Sequence, residues 1–324
     1  MNIRQLSEIA VITGCASNEE YIRLPREVIG KVPRLENLAC NTSGIRVRFE
    51  TDSKNLRIIA ANGEVAGYAH MPISASSGFD VYVNGIFINN VRPELNSTKI
   101  DGTVEISRDK RMNLIDICFP LYNSVTSFLF ETDKGALNRK PAEQKKPILF
   151  YGSSITQGGC ASRPGNSYVN IAGRLTGRPV INLGFSGNAR GDIAVAEYIS
   201  TLDIDAFVYD YDHNAPDTEF LKATHEPFFE TIRRAKPELP VVMMSRPGYE
   251  KWRDIAKYNA QVVMTTYMNA LSSGDENVYF IDGRTLFGTE DRDACTVDGT
   301  HPNDIGFLRM ARSVSAVLNE ILED

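Results

Sequence analysis

A serine attacks an ester carbonyl only when a neighbouring base takes its proton, and an imidazole can do that near neutral pH. Gly152-Ser153-Ser154-Ile155-Thr156-Gln157-Gly158-Gly159 places Ser154 among small residues directly after an apolar run. Far along the chain, Asp298-Gly299-Thr300-His301-Pro302 puts a carboxylate and an imidazole three residues apart. At that spacing one tight turn brings carboxylate and ring together, and the carboxylate then holds the imidazole in the tautomer that accepts the serine proton. Pro302 steers His301 away from helical angles and suits the opening of a last helix. The expected chemistry is acyl transfer, with Ser154 as nucleophile, His301 as base and Asp298 orienting the base. It requires no cofactor. The α/β-hydrolase elbow shares the order Ser, Asp, His but needs G-x-S-x-G, and here Thr156 stands two beyond Ser154.

Such residues must be positioned by strands. In open parallel sheets the ligand crevice lies at the carboxyl ends of the strands. Apolar runs at 148–151, 179–183, 206–209, 240–244 and 278–281 alternate with segments of helical spacing, which implies βαβ units and a parallel sheet. Gly184-Phe185-Ser186-Gly187-Asn188 follows the second run, and Asp210-Tyr211-Asp212-His213-Asn214 the third. Arg246, after the fourth run, is placed to contact a polar substrate. Asn166-Ser167 reads as a helix cap, and Ile305, Leu308, Ala311, Val314, Leu318 and Ile321 share one side of a final helix. His213 between acidic neighbours raises a metal reading, which side chains alternating along one strand end disfavour.

The first half has another period. Residues 45–51, 56–60 and 112–119 alternate apolar with polar, as half-buried antiparallel strands do, and Asn84-Gly85 between apolar runs marks a type I′ hairpin. A β-sandwich is expected over 1–144, ending in the aperiodic linker 133–147, with the α/β unit over 145–324.

With 324 residues, 42% hydrophobic and 23% charged, the composition is that of a soluble globular chain of two domains. A net charge of −6 without a basic block beyond 108–111 argues against nucleic-acid binding. Nothing reads as a membrane span. Charges interrupt the apolar residues of the first eight positions, so no secretory segment is read and a cytoplasmic location is expected. Five scattered cysteines without C-x-x-C spacing read as free thiols, not as disulfides or a zinc site.

Taken together, the four strand-end blocks resemble the SGNH, or GDSL-like, hydrolase superfamily. Gly78-Phe79-Asp80-Val81-Tyr82 is similar to the G-x-D-L-Y signature of two-domain bacterial members with an N-terminal β-domain. Ser153 stands where GDSL has Asp, Val81 where the signature has Leu, and the third block reads Asp212-His213-Asn214-Ala215. The resemblance implies a flavodoxin-like three-layer catalytic domain and an oxyanion hole. Its donors would be the backbone N–H groups of Ser154 and Gly187 and the side chain of Asn214. Preorganised donors of this kind are worth about 3–4 kcal/mol each, and Gly187 is expected for close backbone approach. The resemblance further implies a short acyl ester substrate, an acetyl group on a carbohydrate foremost.

Plainer readings stand beside these. Ser154 and Gly187 are also ordinary turn residues, Asp298 makes an Asx-turn, Asn214 could cap the next helix and Arg246 could be solvated. His70 and His225 read as surface or partly buried residues, and Trp252 as a helix anchor. A long-chain lysophospholipase or thioesterase lacks support from any apolar lid segment. A carbohydrate-binding protein on an inactive scaffold is disfavoured by the presence of Ser154, Asp298 and His301 together. Homo-oligomerisation is left open.

Overall fold

Period-two alternation gives each strand of the first half one apolar face, and two sheets close over those faces. The computed structural model describes residues 3–109, 111–142, 145–248, 250–251 and 253–322. Trp252 and part of the expected linker, Glu143-Gln144, lie outside them. The first half contains β1 (Val11–Thr13), β2 (Arg46–Thr51), β3 (Asn55–Asn62), β4 (Phe79–Val83), β5 (Ile86–Val91), β6 (Lys99–Glu105), β7 (Asn113–Cys118), β8 (Val125–Thr132) and β9 (Asn138–Arg139). One antiparallel sheet runs β1-β2-β7-β4-β5 with β9 beside β2, and the other runs β6-β3-β8. Val47, Phe49, Ile58, Phe79, Ile117 and Phe130 are buried between them, with Phe49 stacked on Phe130 at 4.2 Å. The β4–β5 hairpin turns on Asn84 (φ 50°) and Gly85 (φ 81°), the two positive angles of a type I′ turn.

In the second half, β10 (Ile148–Gly152), β11 (Val180–Gly184), β12 (Ala206–Asp210), β13 (Val241–Met244) and β14 (Val278–Ile281) pair in parallel in the order β11-β10-β12-β13-β14. This is the flavodoxin-like order, whose switch point lies between β10 and β12. Helices Tyr168–Leu175 and Asp304–Ile321 cover one face, and Ile193–Thr201, Thr218–Ala235 and Arg253–Ser272 the other. With both faces covered, the strands are continuous apolar runs.

The last helix buries Ala311, Val314 and Leu318 of the expected face and packs Ile321 against the same core, but at its start it buries Phe307 and Met310 and leaves Ile305 49% and Leu308 39% exposed. Phe307 and Met310 take that place in the first turns, where the Phe307 ring stacks on Tyr168 at 6.3 Å. The helix opens at Asn303, whose Oδ1 accepts from the Ile305 and Gly306 N–H groups, so Pro302 lies before the cap.

The boundary expected at 144 falls between the sheets, but the hydrophobic core ignores it. Leu24, Val28, Ile29, Leu35 and Ala39 share a core with Tyr151, Phe185 and Ile199. Arg23 penetrates furthest: fully buried, it donates through Nη1 to the carbonyls of Asn182 (3.0 Å) and Gly184 (2.7 Å). These belong to β11, the edge strand, whose outward carbonyls otherwise lack partners. No described helix is long and apolar enough to cross a membrane.

Candidate active site

β10 ends at Gly152, and the chain turns into the short helix Ser154–Gln157, capped by Ser153 Oγ on the Ile155 N–H at 3.2 Å. Ser154 is half-buried and the rest of residues 148–161 are buried, so this stretch presents its hydroxyl at the carboxyl edge of the sheet. Ser154 Oγ lies 2.9 Å from His301 Nε2, and His301 Nδ1 lies 2.8 Å from Asp298 Oδ2. The other carboxylate oxygen accepts from the backbone N–H groups of Thr300 (2.9 Å) and His301 (2.8 Å). One carboxylate thus makes the Asx-turn and orients the ring. Burial by itself would raise the Asp298 pKa, but the backbone and ring N–H groups of His301 and the N–H of Thr300 outweigh it and hold the carboxyl at about 2. An ionised carboxylate only accepts, which makes Nδ1 the donor and leaves Nε2 free to take the serine proton. Lys251 Nζ pins the same turn through the Asp298 carbonyl at 2.7 Å.

Two loops flank the hydroxyl. In the loop after β11, Phe185 N–H donates to Gly152 O (2.8 Å) and Ser186 N–H to Gln157 Oε1 (3.0 Å), which ties it to the turn that carries Ser154. Gly187 has φ 69°, and no described atom lies within 4 Å of where its Cβ would be. Backbone conformation, not the expected crowding, therefore calls for glycine here. In the loop after β12, Asn214 Nδ2 donates to Phe185 O at 3.0 Å, which joins the second and third blocks and leaves one amide hydrogen uncommitted. The helix beyond is capped by Asp217 on the Phe220 N–H (2.7 Å), so capping does not account for Asn214.

A hydroxyl, an imidazole and a carboxylate in hydrogen-bonded series, beside loops that carry N–H donors, is an acyl-transfer arrangement. The model of the GDSL-like lipase/acylhydrolase family matches residues 145–319. The chain belongs to the GDSL-like lipase/acylhydrolase family. It is an ester-hydrolysing enzyme. The model for the N-terminus of SGNH-hydrolase-type esterases, GxDLY, matches residues 2–137. No curated protein matches the sequence. Among solved structures, the chain is similar to a protein from Bacteroides ovatus described as a GDSL-like lipase, at 27% identity and TM-score 0.87, covering 98% of this chain and 97% of that one. The salicylyl-acyltransferase SsfX3 of a tetracycline biosynthetic pathway shares the fold at 21% identity and TM-score 0.83, covering 97% and 96%. A family two carbohydrate esterase from Clostridium thermocellum, in complex with cellohexaose, shares it at 16% identity and TM-score 0.67, covering 86% and 93%.

In this GDSL-like enzyme the site draws on residues the strand-end reading missed. Tyr122 of the β-domain half donates to Ser154 O at 3.1 Å, and the Tyr68 ring stands edge-on to it at 5.5 Å. Exposed His70 has its ring 6.3 Å from that of His301. No local signal marks the loop carrying Tyr68 and His70, because only the docking of the two sheets brings it here. Below Ser154, buried Asp210 Oδ2 accepts from Thr156 Oγ1 (3.1 Å) and Tyr168 OH (3.2 Å). Burial, then the neighbouring Asp212 charge, pushes the Asp210 carboxyl up to about 7. Its position as the last residue of β12 was the signal available.

Other expected residues have structural tasks. Arg246 is buried, with its backbone N–H on Asp212 Oδ2 (3.1 Å) and its Nη2 on Asp212 O (2.8 Å). It is neither solvated nor turned to an open crevice, and grips the loop that bears Asn214. His225 lies in the core, stacked on Tyr209 at 4.3 Å, with burial holding its pKa at about 3. Burial first, then the charges of Arg246 and His301, keep the His213 imidazole well below its ordinary pKa. Among the described residues no group of three or more His, Cys, Asp or Glu is placed to hold a metal. All five cysteines are free, Cys118, Cys160 and Cys295 being buried.

Proposed function

We propose that this enzyme hydrolyses short acyl esters, acetyl groups on carbohydrates foremost, through an acyl-enzyme on Ser154. The observation that carries the reading is the relay Ser154 Oγ to His301 Nε2 (2.9 Å) and His301 Nδ1 to Asp298 Oδ2 (2.8 Å). His301 takes the serine proton as Oγ bonds to the carbonyl carbon, and the charge on the carbonyl oxygen is met by the Ser154 and Gly187 N–H groups and Asn214 Nδ2. Collapse breaks the bond to the alcohol, whose oxygen receives the proton from His301. Water then repeats the sequence on the acyl-enzyme and releases the acid.

Because His301 hands its proton to the leaving oxygen, groups beside its ring face the alcohol part of the ester. The rings of His70, Tyr68 and Tyr122 gather there, which favours an alcohol with a ring face to pack on them. The carbohydrate esterase among the similar folds is in keeping with that reading.

The test combines a fluorophosphonate probe, a chain-length series of p-nitrophenyl esters and Ser154→Ala. Labelling at Ser154, its loss in the variant and a preference for acetyl are expected. Labelling elsewhere, or equal turnover by Ser154→Ala, removes the nucleophile. Turnover of long chains alone favours a lysophospholipase or thioesterase, and carbohydrate binding without turnover an inactive scaffold. Transfer to an added alcohol in preference to water favours an acyltransferase.

A further inference from the structure

The proposed reaction makes no use of the motif Gly78-Phe79-Asp80-Val81-Tyr82 in β4, although its aspartate is fully buried and its carboxylate meets the catalytic domain. Asp80 Oδ2 accepts from Arg163 Nη1 (2.9 Å) and from the Gly165 N–H (2.8 Å), while Oδ1 accepts from Asn90 Nδ2 (2.8 Å). Two residues on, and so on the same strand face, Tyr82 OH accepts from the same Arg163 Nη1 at 2.5 Å. A Cβ at position 165 would lie 1.9 Å from that hydroxyl, so only glycine fits against the motif. The Arg163 guanidinium also lies over the Phe87 ring at 3.8 Å.

The loop gripped in this way leads from the nucleophile's turn to the helix Tyr168–Leu175. It contains Cys160 at φ 77°, a left-handed conformation that an L side chain disfavours and that persists only where the surroundings over-determine it. On its other side the loop holds the start of the last helix. Ser162 N–H donates to Asp304 Oδ1 (2.8 Å), Asn166 Nδ2 to Asp304 Oδ2 (2.7 Å), and Ser162 Oγ to the same oxygen. Asp304 is the first residue of that helix and stands three positions after His301.

We propose that Asp80 is a positioning residue for His301: the β-sandwich motif fixes residues 162–166, and these fix Asp304 and hold the imidazole at hydrogen-bonding distance from Ser154. The proposal rests on the triad reading above. Asp80 and Asp304 grip the same short loop from opposite sides, so loss of either grip releases the same restraint.

A double-mutant cycle on the full chain tests it, with Asp80→Asn, Asp304→Asn and the pair assayed on p-nitrophenyl acetate and competent sites counted by fluorophosphonate. Since a displacement near 1 Å can cost about 100-fold, each single variant is expected to lose about 10-fold to 100-fold in kcat per competent site with KM little changed. The pair should lose no more than the worse single, because coupled residues are non-additive. Losses that multiply, or an unchanged kcat per competent site with a lower melting temperature, would overturn the proposal and leave Asp80 a docking residue. Should Asp80→Asn not fold, Tyr82→Phe takes its place in the cycle, with a smaller loss and the same non-additivity expected. A wild-type enzyme unlabelled at Ser154 sinks the triad reading; a labelled one with an additive cycle sinks the clamp alone.

Discussion

Asp298→Asn isolates one hydrogen bond of the relay. The backbone N–H groups of Thr300 and His301 donate to Oδ1 at 2.9 and 2.8 Å, and an amide oxygen accepts both as a carboxylate oxygen does. Those two donors fix the amide with its NH₂ toward the imidazole, since the flipped amide would set donors against donors. Nδ1 must then accept, the ring proton moves to Nε2, and Nε2 faces Ser154 Oγ as a donor. The turn survives and the base is in the wrong tautomer. Where the aspartate is fully buried, this change lowers kcat by about 10⁴-fold. The Asp298 side chain is 46% exposed, so water can partly replace it as acceptor. The expected loss is about 10³-fold, or about 4 kcal/mol at 1.36 kcal/mol per decade. The assay is kcat/KM on p-nitrophenyl acetate at pH 7.5, with fluorophosphonate labelling rate and melting temperature alongside. Labelling should slow in parallel and the melting temperature should hold. A loss under tenfold in a folded protein would refute the assignment of Asp298 as orienter.

Asn214→Ala removes the proposed oxyanion donor and the tie to Phe185, and kcat should fall about 10²-fold to 10³-fold with KM little changed, as steady-state kinetics will show. His70→Ala should raise KM for an acetylated sugar several-fold and leave ethyl acetate turnover unchanged; equal effects on both would detach His70 from the alcohol side. Asp210 is raised to about 7 from an ordinary 3.8, so the folded state holds its proton more tightly than the unfolded chain and stability falls as pH rises from about 4 to about 7. Asp210→Asn lacks that ionisation, so thermal melts from pH 5 to 8 should show a smaller decline for the variant than for wild type. Asp298 is depressed to about 2, so its contribution is present above about pH 4 and lost as pH falls toward 2. Asp298 should therefore add no ionisation of its own to a kcat/KM profile taken above about pH 4.

The sequence by itself determined the features that depend on near neighbours. Asp298 and His301 meet within one turn, Asn84-Gly85 makes its hairpin from its own positive φ angles, and five buried strands show as unbroken apolar runs because helices cover both faces. Ser154, Gly187 and Asn214 could be singled out as candidates because a parallel sheet gathers its strand ends at one edge. Tertiary structure alone decided that the first turns of the last helix bury Phe307 and Met310 and not Ile305 and Leu308, since all four are apolar and only the space beside Tyr168 distinguishes them. It also decided that Arg246 holds Asp212, that Arg23 covers the carbonyls of edge strand β11, and that His70 stands beside His301. Those contacts join segments apart in the chain whose residues carry no periodic signal: the first arises where two neighbouring strands of the parallel sheet end, and the other two from the docking of one half against the other.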